Sequence, residues 1–295
     1  MHLAALLLLL ASAPEWTSNM KSGNAALNAG EYRVAADLFR GALKAARSDA
    51  ERAAALNNLA SVEETLGQLA QAERHYEECI AAWSRTPDAP ADALAKPLNN
   101  LALLYSRRRE YNRAADLYHR SLQLRTDDMS RVQVLNNLGR LNYARKRYGD
   151  AESHYMRALT LAPDDSATLV NLAELQVALG RTASARRTAE RVLASEQDRP
   201  MEIAARLSLA LACAGEKKWQ EAEPHLIRAM QLATGLLGEN HAVTASLFAE
   251  YARVARKLQR KRAAADYQER ARRAAAAAPE AHTVSVSELL IDQRR

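Results

Sequence analysis

One alanine returns along the chain at a nearly fixed interval. Ala35, Ala72, Ala114, Ala151, Ala185, Ala222 and Ala264 are separated by 37, 42, 37, 34, 37 and 42 residues, each in a similar setting of apolar residues. A chain with this period cannot wrap around one central core, because each unit has only its neighbours to bury its apolar face against. The 295 residues therefore read as one array of about seven units rather than as two ordinary domains. Ala, Leu, Arg and Glu dominate, while Gly and Pro number only 10 and 8, a mixture of strong helix formers. In most units an apolar pattern of helical period runs for about four turns, breaks at a short polar or Gly-containing turn, and resumes. Each unit is thus predicted to be a helical hairpin, and the fold class all-α.

A second repetition lies inside the first helix of each unit. Leu56-Asn57-Asn58-Leu59-Ala60 returns as Leu98-Asn99-Asn100-Leu101-Ala102, as Leu135-Asn136-Asn137-Leu138-Gly139, and in worn form as Leu169-Val170-Asn171-Leu172-Ala173. The small residues Ala60, Ala102, Gly139, Ala173, Ala210 and Ala252 stand where a bulky side chain would hold the paired helix away. An aromatic near the middle of each second helix is expected opposite them.

These residues resemble a known family. A helix carrying Leu135, Leu138 and Gly139, a turn before Tyr148, then Ala151, Tyr155, Ala158 and Pro163, is similar to a complete tetratricopeptide repeat, a 34-residue helix-turn-helix unit. The 42-residue spacings, the Leu-Asn-Asn-Leu-Ala cores and the run Leu237-Gly238-Glu239-Asn240-His241-Ala242 more narrowly resemble repeats of the kinesin-light-chain type. The resemblance implies a right-handed superhelical solenoid, with repeats approximately at 16–52, 53–94, 95–131, 132–165, 166–202, 203–244 and 245–278. Arg109 departs from the pattern by replacing the usual turn glycine, and the first and seventh units keep only part of it, as terminal caps do.

The asparagines call for a separate explanation. Asn is a mediocre helix former, so Asn57, Asn58, Asn99, Asn100, Asn136, Asn137 and Asn171 together cost roughly 4 kcal/mol at about 0.6 each. Either they bond to neighbouring helices, or Asn58, Asn100, Asn137 and Asn171 line a concave groove as a ladder. A carboxamide has both donor and acceptor, and so pairs with an extended peptide backbone whatever its side chains. The resemblance implies the second role, since in kinesin-light-chain-like arrays asparagines at this place hold ligand backbone. One helical turn away stand Lys96, Leu103, Arg107, Gln133, Arg140 and Tyr143, with Ser61 and Glu64 in the second unit. A polar, basic mid-groove suited to an acidic segment or a C-terminal carboxylate is expected from Lys96, Arg107 and Arg140.

Charge suggests a second surface. Arg107-Arg108-Arg109, Arg145-Lys146-Arg147, Lys217-Lys218 and Arg260-Lys261-Arg262 all fall at the end of a first helix or in the turn after it. Cations there are favoured by helix dipoles at about 0.3–1 kcal/mol each. With a net charge of +6 the resulting edge permits an anionic partner such as lipid headgroups or a polymer. Nucleic acid is not expected, because no aromatics alternate with the cations as a stacking platform requires.

An enzyme is not expected either. Glu-x-His recurs at Glu73-Arg74-His75, Glu152-Ser153-His154 and Glu223-Pro224-His225. Equivalent places in three repeats lie about a helix diameter apart and cannot converge on one metal. There is no His-Glu-x-x-His, phosphate-binding glycine loop or Gly-x-Ser-x-Gly, so no cofactor or catalytic residue is assigned. Cys79 and Cys213 fall in different units and are expected to be partly buried free thiols. Leu3 to Ala11, ending at Ala11-Ser12-Ala13, resembles a secretory signal and is too short to span a membrane. It points to a periplasmic or extracellular location, with a cytoplasmic chain bearing an apolar extension as the alternative. After Pro279, residues 279–295 leave the repeat pattern as a tail. The sequence thus predicts a non-catalytic scaffold for a protein or peptide partner, with a regulatory or export-associated subunit using its basic edge as the alternative.

Overall fold

The computed structural model describes residues 15–195 and 198–277. The export signal read at 1–13 and the tail read at 279–295 lie outside the described residues. Among the described residues every regular element is an α-helix. The chain forms two compact units, Met1–Asn137 and Leu138–Arg295. Unit 1 contains α1 (Glu15–Asn28), α2 (Tyr32–Ala45), α3 (Asp49–Thr65), α4 (Leu69–Ser84), α5 (Ala91–Arg107), α6 (Tyr111–Leu124) and the first part of α7 (Asp128–Ala144). The rest of α7 belongs to unit 2, with α8 (Tyr148–Leu161), α9 (Ser166–Ala178), α10 (Thr182–Ser195), α11 (Arg199–Gly215), α12 (Trp219–Leu237), α13 (Ala242–Lys257) and α14 (Lys261–Ala277). No helix among the described residues is long and apolar enough to cross a membrane.

Some first helices start on a side-chain cap. Ser48 accepts a 3.1 Å hydrogen bond from the Glu51 amide, while the Glu51 carboxylate accepts one of 2.7 Å from the Arg47 amide, so two orphan donors at the start of α3 are satisfied. Asp165 caps α9 by accepting from the Thr168 amide at 2.8 Å.

The first four hairpins close on a small residue facing a large aromatic, whereas the equivalents after Ala173, Ala210 and Ala252 are Ala189, Leu226 and Gln268, so the aromatic expected near the middle of every second helix is absent from α10 and α12. Phe39, Tyr76, Tyr118 and Tyr155 each stand sixteen residues after Gly23, Ala60, Ala102 and Gly139, and all four rings are fully buried. A Cβ at Gly23 would lie 2.6 Å from Phe39 Cε1, and one at Gly139 would run into the Tyr155 ring. Close approach of the two helices therefore requires the small side chain. The recurrent alanines Ala35, Ala72, Ala114, Ala151, Ala185 and Ala222 have no exposed surface. Both cysteines are free and buried. Cys79 donates to the Ala53 carbonyl at 3.2 Å, and burial pushes its thiol up to about 12.

The turns inside the hairpins share one backbone conformation filled by different residues. Gly30, Gly67 and Gly180 have φ of 75°, 75° and 69°, and Arg109, Lys146, Lys217 and Gln259 have φ of 62°, 59°, 62° and 62°. The glycine substitution read at Arg109 is therefore one of four.

Candidate functional site

In unit 1 the asparagines form a continuous relay across four first helices. Asn137 of α7 donates to Asn99 of α5 at 3.0 Å, Asn99 to Asn100 at 3.5 Å, and Asn100 to Asn57 of α3 at 3.4 Å. Asn57 then donates to Asn58 at 3.2 Å, and Asn58 to Asn24 of α1 at 3.1 Å. All five bonds run in one direction, so each amide is polarised by its neighbour. Both members of the Asn57-Asn58 and Asn99-Asn100 pairs take part, whereas the sequence singles out only the second. Asn24 was missed because it occupies the position of Ser61, one past the small residue Gly23, where the repeat register gives no asparagine.

Exposure divides the predicted ladder. Asn58 and Asn100 are half-buried at the surface, while Asn137 and Asn171 keep only 5% and 3% of their area exposed. Lys96 is exposed on α5, one turn before Asn100. Arg107 reaches back to Glu64 of α3 at 2.7 Å. In unit 2, Arg140 is half-buried on α7, and Tyr143 lies one turn further on, its ring 5.6 Å from that of Tyr148.

Tyr143 belongs to a second feature that the sequence does not announce. A cavity of about 430 Å³ opens in unit 2 against the first helices α9, α11 and α13, with Tyr143 of α7 at its margin. Val170, Ala204, Leu207 and Leu211 supply apolar lining, and Ser208, Ser246, Glu174 and Glu250 the polar groups. The Tyr143 hydroxyl donates to Glu174. Burial, reinforced by that carboxylate, pushes the phenol well above its ordinary range, so it remains a donor. Glu250 pairs with Arg253 through one oxygen, Oε2, at 2.7 Å. Among the described residues that line the cavity there are two carboxylates and no Lys or Arg.

A sequence signal for this cavity exists in the worn repeats. Where unit 1 has Asn57-Asn58 and Asn99-Asn100, the equivalent pairs ahead of Ala173, Ala210 and Ala252 are Val170-Asn171, Leu207-Ser208 and Ala249-Glu250. Replacing the first carboxamide with an apolar residue converts a hydrogen-bonding face into a hydrophobic one.

Part of the basic edge is engaged in ion pairs, and Arg181, outside the runs that define the edge, is paired in the same way. Arg108 pairs with Glu73, Arg181 with Glu152 at 2.6 Å, Lys218 with Glu216 at 2.8 Å and Arg260 with Glu223. The glutamate of each Glu-x-His motif therefore ties its hairpin to the next one. Around Glu73, burial opposes ionisation, but hydrogen bonds from Arg108 and Tyr105 outweigh it and hold the carboxyl below its usual value. Tyr105 donates to Glu73 at 2.8 Å and carries Arg113 3.8 Å above its ring. At Arg186 the polarity is reversed, with the cation on the second helix and Glu216 at 3.3 Å beyond it.

Sequence profiles described as tetratricopeptide repeat match residues 51–127, 95–164 and 201–277, and a further profile of that description matches 142–209. The chain belongs to the tetratricopeptide repeat family. No curated protein matches it in sequence. Among solved structures, the apo form of the quorum sensor NprR from B. thuringiensis superposes with a TM-score of 0.72 at 16% identity, covering 89% of this chain and 77% of that one. A tetratricopeptide repeat protein from Parabacteroides merdae gives 0.65 at 16% identity over 95% and 98%. A Rap protein complexed with competence and sporulation factor gives 0.66 at 14% identity over 93% and 78%. At these identities the likeness is one of fold. A tetratricopeptide array is a protein-interaction scaffold, and its first-helix faces carry the two features described above.

Proposed function

We propose that this protein is a non-catalytic scaffold that binds an extended peptide or protein segment along the faces of its first helices. The observation that carries this reading is the carboxamide relay. Asn58 and Asn100 each spend one amide N–H and one oxygen lone pair within the relay, which leaves one donor and one acceptor for a ligand backbone. Because the relay fixes their orientation, little further ordering is required on binding. Lys96, Arg107, Arg140 and Tyr143 flank these faces and contribute side-chain selectivity, while Asn137 and Asn171 support the face from below. The basic edge is the weaker candidate for an anionic partner, since Arg107, Arg108, Lys218 and Arg260 are held by glutamates.

The reading is tested with peptides selected from a displayed library on the immobilised full chain and measured by fluorescence anisotropy. The Asn58→Ala, Asn100→Ala variant should raise Kd about tenfold, the equivalent of 1.4 kcal/mol, measured at a temperature where the variant is fully folded, because Asn57 and Asn99 each lose a partner and the melting temperature falls. An unchanged Kd would mean that the relay serves folding alone. Residues 1–13 place the scaffold outside the cytoplasm in this reading, and an intact N-terminus recovered from a cytosolic fraction would refute that placement.

A further inference from the structure

We infer that the cavity of unit 2 is a specificity pocket for a segment that presents a branched apolar side chain together with a Lys or Arg. This rests on the reading of the first-helix faces as binding surfaces and names what one of them selects. The cavity volume of about 430 Å³ falls within the range of ligand-binding clefts. Its most buried apolar lining residues, Val170, Ala204 and Leu207, keep 1%, 3% and 9% of their area exposed, with Ser208 beside them at 5%, so the floor is mainly apolar. Ala249 and Ser246 are exposed at the rim on α13, so an entering side chain displaces water rather than protein.

The two lining charges are both negative and stand on different helices, Glu174 on α9 and Glu250 on α13. Glu174 is oriented by the Tyr143 hydroxyl. Glu250 spends only Oε2 on Arg253, a pair three residues apart with both side chains substantially exposed, which holds it weakly. Beside an apolar floor a cation gains more from these carboxylates than it would in open water, and an anion meets like charge. This preference is the opposite of the one expected in unit 1 from Lys96.

The test uses the full chain and three fluorescein-labelled dodecapeptides of equal Val and Leu content, carrying two Arg, two Gln or two Glu. The Arg peptide should bind about tenfold more tightly than the Glu peptide, with the Gln peptide between them. In the Glu174→Gln, Glu250→Gln variant the three affinities should converge to within about twofold. Ser246→Lys, a change at an exposed position, should reverse the order without disturbing the fold. If the Gln peptide binds but the Arg-to-Glu ratio is the same in wild type and variants, charge selection is wrong and the binding-surface reading stands. If none of the three binds while library-selected peptides do, the apolar pocket is not used. If neither these nor the selected peptides bind, the surface reading falls as well.

Discussion

Lys146 illustrates how much a single position in a hairpin turn can reveal. Its φ of 59° lies in the left-handed region, where an L side chain costs roughly 1–2 kcal/mol and glycine almost nothing. Gly30, Gly67 and Gly180 occupy the same turn elsewhere, and Lys146 is exposed. Lys146→Gly should therefore raise the unfolding free energy by about 1 kcal/mol in urea titration; a loss of stability would show that the lysine makes a contact that the geometry does not. Asn99 presents the reverse case. With 1% of its area exposed and bonds to Asn137 and Asn100, its removal leaves two amides short of a partner. Asn99→Ala should cost about 1–3 kcal/mol. Equal stability of variant and wild type would mean that water replaces the amide without loss. In Ala151→Phe, a fully buried methyl becomes a ring, and overpacking should cost about 1–3 kcal/mol, read as a lower melting temperature.

Between elements, the link from one hairpin to the next combines apolar packing with the Glu–Arg pairs. Glu73 has its pKa lowered in the folded state by Arg108 and Tyr105 against the effect of burial. Its contribution is therefore fully present above the unfolded carboxyl pKa near 4.3 and is lost as pH falls through the lower folded value. The stability difference between wild type and Glu73→Gln should be constant above about pH 5 and shrink as the pH falls below the unfolded carboxyl value. A difference that grows on acidification would mean that the folded state raises the Glu73 pKa instead. Helices and hairpins were legible because the signals are local: the apolar period, the short polar or Gly-containing turns, and in the first four units a small residue sixteen positions before an aromatic. The ion pairs were not legible. Arg108 and Arg260 read as parts of a basic edge because their partners Glu73 and Glu223 are 35 and 37 residues away, one repeat back in the chain.

For the molecule as a whole, periodicity established the all-α fold and the tetratricopeptide family, since both depend on residues repeated along the chain. The candidate site was only half visible. Repetition drew attention to Asn58 and Asn100, yet the cavity of unit 2 arises where repetition fails, at Val170, Leu207 and Ala249, and a search for recurring residues passes over such positions. The central claim is that the first-helix faces, and not the second helices, receive the ligand. It is tested most directly by photocrosslinking with benzoylphenylalanine placed at Ser246, on the cavity rim of α13, or at Met156, which is 52% exposed on the second helix α8. A library-selected peptide should crosslink at position 246 and not at 156, and crosslinking at 156 with none at 246 would contradict the account.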